Sequence, residues 1–62
     1  MKWSEIERMA IKKGWCLKRH GAEHDAYEHP DRDNDDVLYI ARHKSKEVPN
    51  GTFRKVKKQI GF

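Results

Sequence analysis

The sequence has few apolar residues and lacks any long apolar run. Only 35% of its 62 residues are hydrophobic, and the longest clean apolar stretch covers residues 37–41, whereas a membrane-spanning helix needs roughly 18 or more. The start of the chain also lacks the apolar segment of a signal peptide, because Trp3, Ser4 and Glu5 follow the first residues. We therefore expect neither a membrane segment nor a targeting signal.

Cysteine is nearly absent, with Cys16 as the only one. A single cysteine excludes an internal disulfide, which favours a reducing, cytoplasmic compartment. We expect Cys16 to be a buried or half-buried apolar residue and not a nucleophile, because no activating base lies at a recognisable spacing. The length predicts one domain over residues 1–62, because a second domain would have almost no core of its own. A doubly wound nucleotide fold or a barrel does not fit into it.

Charge is abundant and unevenly distributed. Lys and Arg total 14 against 10 Asp and Glu, for a net charge of +4. By segment, residues 1–20 carry +4, residues 21–40 carry −6 and residues 41–62 carry +6. Basic segments favour a polyanionic partner such as nucleic acid, although lysines and arginines that only solvate two helices would give the same composition. Composition alone leaves both interpretations open.

A first helix is predicted near the start of the chain. Ser4 and Glu7 are spaced as a capping box, in which each side chain accepts a hydrogen bond from the other residue's backbone N–H. Apolar residues then recur on one face, which predicts a helix over residues 4–13 that ends at a left-handed Gly14.

A second helix is predicted near the other end of the chain. Asn50 or Thr52 is placed to cap it, its apolar stripe includes Phe53, and Gly61 supplies the stop. We expect Phe53 and Trp15 in the core, because large aromatic side chains bury the most area in a small domain.

Three strands are predicted between the helices, over residues 15–19, 24–29 and 37–41. These segments alternate in polarity or concentrate β-branched and aromatic residues. Short connections between consecutive strands favour an antiparallel meander. The predicted fold is therefore α+β, in the order α-β-β-β-α, with a three-stranded antiparallel sheet and both helices on one face.

The strand pattern also predicts how individual residues are oriented. Alternation in the first strand predicts that Leu17 and Arg19 share one face with Trp15. A turn follows over residues 20–23, in which Gly21 is available for a positive φ. The connection over residues 30–36 is expected to be a polar, acidic turn.

Four histidines are many for this length: His20, His24, His29 and His43. Zinc sites combine three or four close ligands, and neither these spacings nor Cys16 supplies such a set, so we predict no metal site. An inert surface position is the default for each histidine and the favoured interpretation for His29. A general acid or base needs a histidine at an exposed functional surface, and His24, which opens a strand beside the glycine turn, is the best candidate.

Longer motifs in this chain resemble the HicA toxin family. Residues 14–25 have a Gly-aromatic start, a basic strand end, a Gly-containing turn and then His24, as in the core motif of that family. Further segments resemble the family's remaining elements in the same order: Trp3-Ser4-Glu5-Ile6, His29-Pro30, Ile40-Ala41-Arg42-His43, Pro49-Asn50-Gly51-Thr52-Phe53-Arg54 and Lys58-Gln59-Ile60-Gly61-Phe62. Glu23 and Ala26 depart from the pattern, which more often has a small or polar residue before the histidine and a larger apolar residue after it.

The resemblance implies a double-stranded-RNA-binding-like fold and activity as an mRNA interferase, the ribonuclease toxin of a toxin–antitoxin pair. It also implies a HicB antitoxin that binds the toxin and blocks its active site, and it places the catalytic histidine at His24. We expect His24 to assist attack of an RNA 2′-hydroxyl on the adjacent phosphate, as general base or acid, without a metal or other cofactor.

Phosphate contacts are predicted from charge and position alone. The candidates are Lys18, Arg19, Arg42 and Lys44. Solvation of strand ends is the alternative role for each of them. The acidic turn over residues 31–36 should repel RNA, so RNA is expected to approach from the side of His24 and Arg42, or along a basic helix.

Two other functions fit the same residues. A non-catalytic RNA-binding module would use the same fold and charges. A protein-interaction domain would pair its acidic turn and basic ends with a charged partner. Cleavage of RNA in the presence of a chelator separates a ribonuclease from both.

Overall fold

The computed structural model describes residues 1–62 and confirms the predicted α+β order of elements. These are α1 (Trp3–Lys12), β1 (Cys16–His20), β2 (His24–Glu28), β3 (Leu38–Ala41) and α2 (Asn50–Ile60). The strands form one antiparallel sheet in the order β1-β2-β3, with β2 in the centre. Neither helix has the length and apolar character that a membrane crossing requires.

Both helices pack on the same face of the sheet, as predicted. Leu38 and Ile40 of β3 are completely buried, whereas Tyr39 between them is 53% exposed on the opposite, open face. One apolar cluster joins the helices to the sheet, and its members are Trp3, Ile6, Ala10, Trp15, Tyr27, Leu38, Ile40, Val48, Val56 and Ile60. Trp15 is in the core as predicted, while Phe53 is half-buried and packs against the cluster from its edge.

The start of α1 differs from the predicted capping box. The helix begins at Trp3, and the backbone N–H of Lys2 donates to the Glu5 carboxylate at 3.0 Å. The N–H groups of Trp3 and Ser4 donate to backbone carbonyls of the loop between β3 and α2, at 3.1 and 3.0 Å. The prediction of a Ser4–Glu7 capping box is therefore wrong, because both residues lie inside the helix and the Ser4 N–H donates to the distant loop instead of to Glu7.

The ends of α2 are set mainly by its backbone. Pro49 is the N-cap residue without a side-chain cap, and the Phe53 N–H donates to its carbonyl at 2.8 Å. The predicted cap on Asn50 or Thr52 is wrong, because both residues already belong to the helix. Gly61 ends α2 with a left-handed φ of 114°, and Gly14 follows α1 with a φ of 96°, both as predicted.

A β-bulge in β1 changes the predicted orientation of its last residues. Leu17 pairs with Tyr27, but Arg19 pairs with Ala26, so Lys18 is an extra residue on this strand. Directly paired residues share a face of the sheet. The prediction that Arg19 lies on the same face as Leu17 is therefore wrong, and Arg19 lies on the open face.

Gly21 is required for a different reason from the one predicted. Its φ is not positive. Its backbone N–H donates to the carbonyl of His24 at 2.9 Å, and a Cβ added to Gly21 would lie only 2.3 Å from that oxygen. The turn between β1 and β2 is therefore tight because two backbone segments come into contact.

Replacement of Gly21 by Ala should lower the free energy of unfolding by about 1–3 kcal/mol, the usual range for an overpacked site. Gly51→Ala is the matched control, since an added Cβ there has no atom within 4 Å. Because Gly51 lies in the first turn of α2, this control should raise the free energy of unfolding by about 0.4–1 kcal/mol. Urea unfolding measures both, and a Gly21→Ala protein as stable as the parent would contradict the close contact.

Candidate active site at one end of the sheet

The end of β1, the start of β2 and the end of β3 meet at one end of the sheet, because neighbouring strands are antiparallel. His20 pairs with Asp25, and His24 pairs with Ala41. We call this end the histidine end; it carries His20, His24, Arg42, His43, Lys44 and Lys46. The acidic turn over residues 31–36 follows the other end of β2, so β2 separates it from His24.

His24 is exposed at the histidine end. It is the first residue of β2 and lines a shallow cavity of about 270 Å³ together with Glu23, Ala41, His43 and Lys46. The ring of His24 makes no hydrogen bond within the chain, whereas the rings of His20 and His29 do. Both nitrogens of His24 are therefore free to meet a ligand, and its catalytic role stays a prediction.

A buried carboxylate organises the residues behind this cavity. The side chain of Asp25 is only 9% exposed, and its oxygens lie 3.0 Å from His20 Nδ1, 3.4 Å from Lys44 Nζ and 3.8 Å from Arg42 Nε. The hydrogen bond to His20 is the largest influence on the pKa of Asp25 and, with Lys44, holds it below its ordinary value against the opposing effect of burial. Asp25 therefore remains charged and connects all three elements that meet at this end.

A second carboxylate extends this network to α1. The hydroxyl of Tyr27 donates to Glu7 at 2.8 Å, and Lys44 Nζ lies 3.4 Å from the same carboxylate. Burial, followed by the nearby Glu7 carboxylate, raises the pKa of Tyr27 to about 12. Tyr27 is therefore a hydrogen-bond donor at any physiological pH and fastens α1 to β2.

The four cations predicted to contact phosphate differ in their surroundings. Lys18 and Arg19 are exposed on β1 and make no ion pair within the chain. The Arg42 side chain is 49% exposed and donates to the backbone carbonyl of Gly21 at 2.9 Å. Their contacts with phosphate stay predictions.

Lys44 is the most enclosed of the four. Its side chain is 27% exposed, and besides the two carboxylates it donates to the carbonyl of Ala41 at 2.9 Å. Two negative charges offset its positive charge, which favours a structural role. Its contact with phosphate likewise stays a prediction.

His29 is not an inert surface residue, which corrects the prediction. Its Nδ1 accepts from the Asp31 N–H at 3.0 Å, so Nε2 donates to the carbonyl of Lys13 at 2.8 Å. The ring also meets the edge of Trp15, with centroids 5.4 Å apart. His29 directly follows β2, and through these contacts it joins the end of β2 to the residues that follow α1.

His43 and Lys46 line this cavity, and the sequence predicted a functional role for neither of them. His43 follows β3 by two residues and lines the same cavity as His24. The antiparallel pairing of the predicted strands could have indicated this, because it brings the end of the third strand beside the start of the second.

Two further predictions concern Cys16 and a possible metal site. Cys16 is exposed, not buried or half-buried as predicted, because it lies on β1 at the edge of the sheet. Among the His, Cys, Asp and Glu side chains, no three lie close enough together to hold a metal ion.

Comparison with known proteins identifies one family. A family model described as HicA toxin of bacterial toxin-antitoxin matches residues 3–62. The matched range includes both helices, all three strands and the whole histidine end. No curated protein matches the chain.

Replacement of Asp25 by Asn should lower the urea midpoint at pH 7, because His20, Arg42 and Lys44 would lose their shared carboxylate. The folded-state pKa of Asp25 lies below the ordinary value of 3.8, so the carboxylate stabilises the fold above that pH and loses its contribution as the pH falls through the folded-state value. The difference in midpoint between parent and variant should therefore shrink below about pH 3.8.

Asp33→Asn is the control for this experiment. It makes the same change of charge at an exposed turn residue whose side chain has no ion pair, and it should shift the free energy of unfolding by no more than about 0.5 kcal/mol. A difference between parent and Asp25→Asn that stays constant down to low pH would contradict the role of the charged carboxylate.

Proposed function

Since this chain belongs to the HicA toxin family, we propose that it is a metal-independent RNA endonuclease that cleaves mRNA with His24 as general acid or base. Membership of the family makes it the toxin of a toxin–antitoxin system. We further propose that residues 1–62 form one domain, which acts in the cytoplasm and is neutralised by a HicB-like antitoxin.

The observation that carries the proposal is the free, exposed ring of His24 at the edge of a cavity beside several cations. Imidazole is the side chain whose proton exchange lies closest to neutral pH, which suits general acid–base chemistry. His24 would exchange a proton with the RNA as the 2′-oxygen attacks the adjacent phosphorus. DNA would not be cleaved, because it lacks the 2′-hydroxyl.

The charges around His24 support RNA binding at this end. Lys18 and Arg19 are exposed on β1, and the hydrogen bond from Arg42 to the Gly21 carbonyl holds its guanidinium at the end of β3. These cations would contact the phosphates on either side of the cleaved bond. The acidic turn lies at the far end of β2, so its repulsion would direct RNA to the histidine end.

The antitoxin is proposed to cover the same surface. A protein that occupies the cavity beside His24 would exclude the RNA phosphate and so block cleavage. Negatively charged side chains of the antitoxin would complement the cations that otherwise meet phosphate.

His24→Gln should reduce cleavage of a single-stranded RNA by about 10²–10⁴-fold, the usual contribution of a general acid or base. The assay uses purified toxin with a chelator present, and an all-DNA strand of the same sequence should stay intact with either protein. Because His24 is exposed, the urea midpoint of the variant should match that of the parent.

Three outcomes would overturn parts of this proposal. Undiminished cleavage by His24→Gln would exclude the histidine mechanism, and loss of parent activity with the chelator would exclude metal independence. RNA that binds to the parent protein but is never cleaved would identify a non-catalytic RNA-binding module.

Lys18→Gln should weaken RNA binding and lower the slope of log affinity against log salt by about 0.7, the value for one single-strand phosphate contact. Lys58→Gln is the matched control, because Lys58 is exposed and lies away from the histidine end. Its neighbour in sequence, Gln59, donates to the Asp36 carboxylate and the Val37 carbonyl at the acidic turn. Fluorescence anisotropy in the His24→Gln background measures both without cleavage. Equal effects of the two substitutions would contradict the contact between Lys18 and phosphate.

A further inference from the structure

We propose that His43 is the second proton-transfer group of the cleavage reaction and acts in the same step as His24, one as base and the other as acid. This inference rests on the proposed ribonuclease function. The observation behind it is that the two histidines with unbonded rings line one cavity.

The fold places the two rings on neighbouring strands. His24 opens β2 and pairs with Ala41, the last residue of β3, and His43 follows Ala41 by two residues. Both histidines are exposed, and both line the cavity of about 270 Å³. A phosphate placed in this cavity would therefore have one imidazole on each of two adjoining segments.

The loop that carries His43 is fixed by the backbone on both sides. Before it, the Arg42 N–H donates to the Glu23 carbonyl at 3.0 Å. After it, the carbonyls of Lys44 and Lys46 accept the first N–H groups of α1 at 3.0 and 3.1 Å, and the Lys46 N–H donates to the His43 carbonyl at 3.1 Å. These bonds hold His43 in place beside His24, as catalysis requires.

The other two histidines are committed to the fold. His20 bonds Asp25, and His29 bonds two backbone groups with its two nitrogens. Neither lines the cavity. His43 is therefore the one partner for His24 among the imidazoles of this chain.

The chemistry of the step calls for two groups. The base takes the proton of the 2′-hydroxyl as the 2′-oxygen forms its bond to phosphorus. The bond from phosphorus to the 5′-oxygen breaks, and the acid gives a proton to that oxygen, which leaves a 2′,3′-cyclic phosphate and a 5′-hydroxyl. One imidazole cannot take a proton and give one within the same step. Two imidazoles can do so if one is neutral and accepts the proton while the other is protonated and donates one.

Lys46 has a different role at the same cavity. Its ammonium would neutralise the phosphate without exchanging a proton. The other titratable and charged groups around the two histidines are Glu23, Arg42, Lys44 and the His20–Asp25 pair. Lys46→Gln is therefore the matched control, since it removes a charge from the cavity but no proton-transfer group.

The test compares two RNA substrates. One has the normal 5′-oxygen at the cleaved bond, and the other has sulfur in its place, which leaves as a thiolate without needing an acid. His24→Gln and His43→Gln should each lose about 10²-fold or more on the oxygen substrate. On the sulfur substrate, the variant that lacks the acid should recover to within about tenfold of the parent, while the variant that lacks the base stays slow.

The pH dependence supplies a second readout. The parent should show a bell-shaped profile of kcat/KM, and each histidine variant should lose one of its two limbs. Lys46→Gln should be slowed on both substrates by a similar factor and keep both limbs.

The outcomes separate this inference from the proposed function. Full activity of His43→Gln beside an inactive His24→Gln would overturn the role of His43 alone. Recovery of neither variant on the sulfur substrate, or a His43→Gln profile with both limbs intact, would also overturn it. Full activity of His24→Gln would instead overturn the proposed function on which this inference rests.

Discussion

The buried carboxylate of Asp25 is the constraint on which the geometry of the histidine end depends. It lies at the start of the central strand and meets the imidazole of His20 on β1 and the cationic groups of Arg42 and Lys44 in the segment after β3. A buried charge is costly unless it is paired, and removal of its partners leaves the cost uncompensated. The three strand ends are therefore held together by the same charge, directly behind the cavity that His24 and His43 line.

The network continues from the site into the core, so the two are not separate structures. Lys44 joins Asp25 to Glu7, and Glu7 accepts the hydroxyl of the buried Tyr27. The loop that carries His43 also caps α1 with its carbonyls. Because α1 packs on the sheet through the apolar cluster, burial of apolar area stabilises the loop as well. A short chain can thus hold the histidine end in place without an internal disulfide.

Much of the fold was predictable because it follows from local patterns. The order of elements, the antiparallel sheet, the helix stop at Gly61 and the core position of Trp15 all depend on periodicity, turn residues or side-chain size within a few positions. Several of the errors occurred where the partner was distant in sequence. The Ser4–Glu7 cap failed because the helix begins earlier and a carbonyl forty residues away accepts the Ser4 N–H that Glu7 was expected to bond. His29 looked inert because Lys13 cannot be recognised as its neighbour from spacing.

The sequence by itself determined the class of fold, the separation of charge between the ends and the middle, and the resemblance that singled out His24. Only the tertiary structure decided the face on which Arg19 lies, the enclosure of Lys44 and the shared cavity of His24 and His43. These results follow from a one-residue bulge, from the two ion pairs of Lys44 and from an antiparallel register. Each is a contact between segments far apart along the chain. The predicted strand order brings the end of β3 beside the start of β2, but the bulge and the side-chain contacts depend on how the sheet and helices pack.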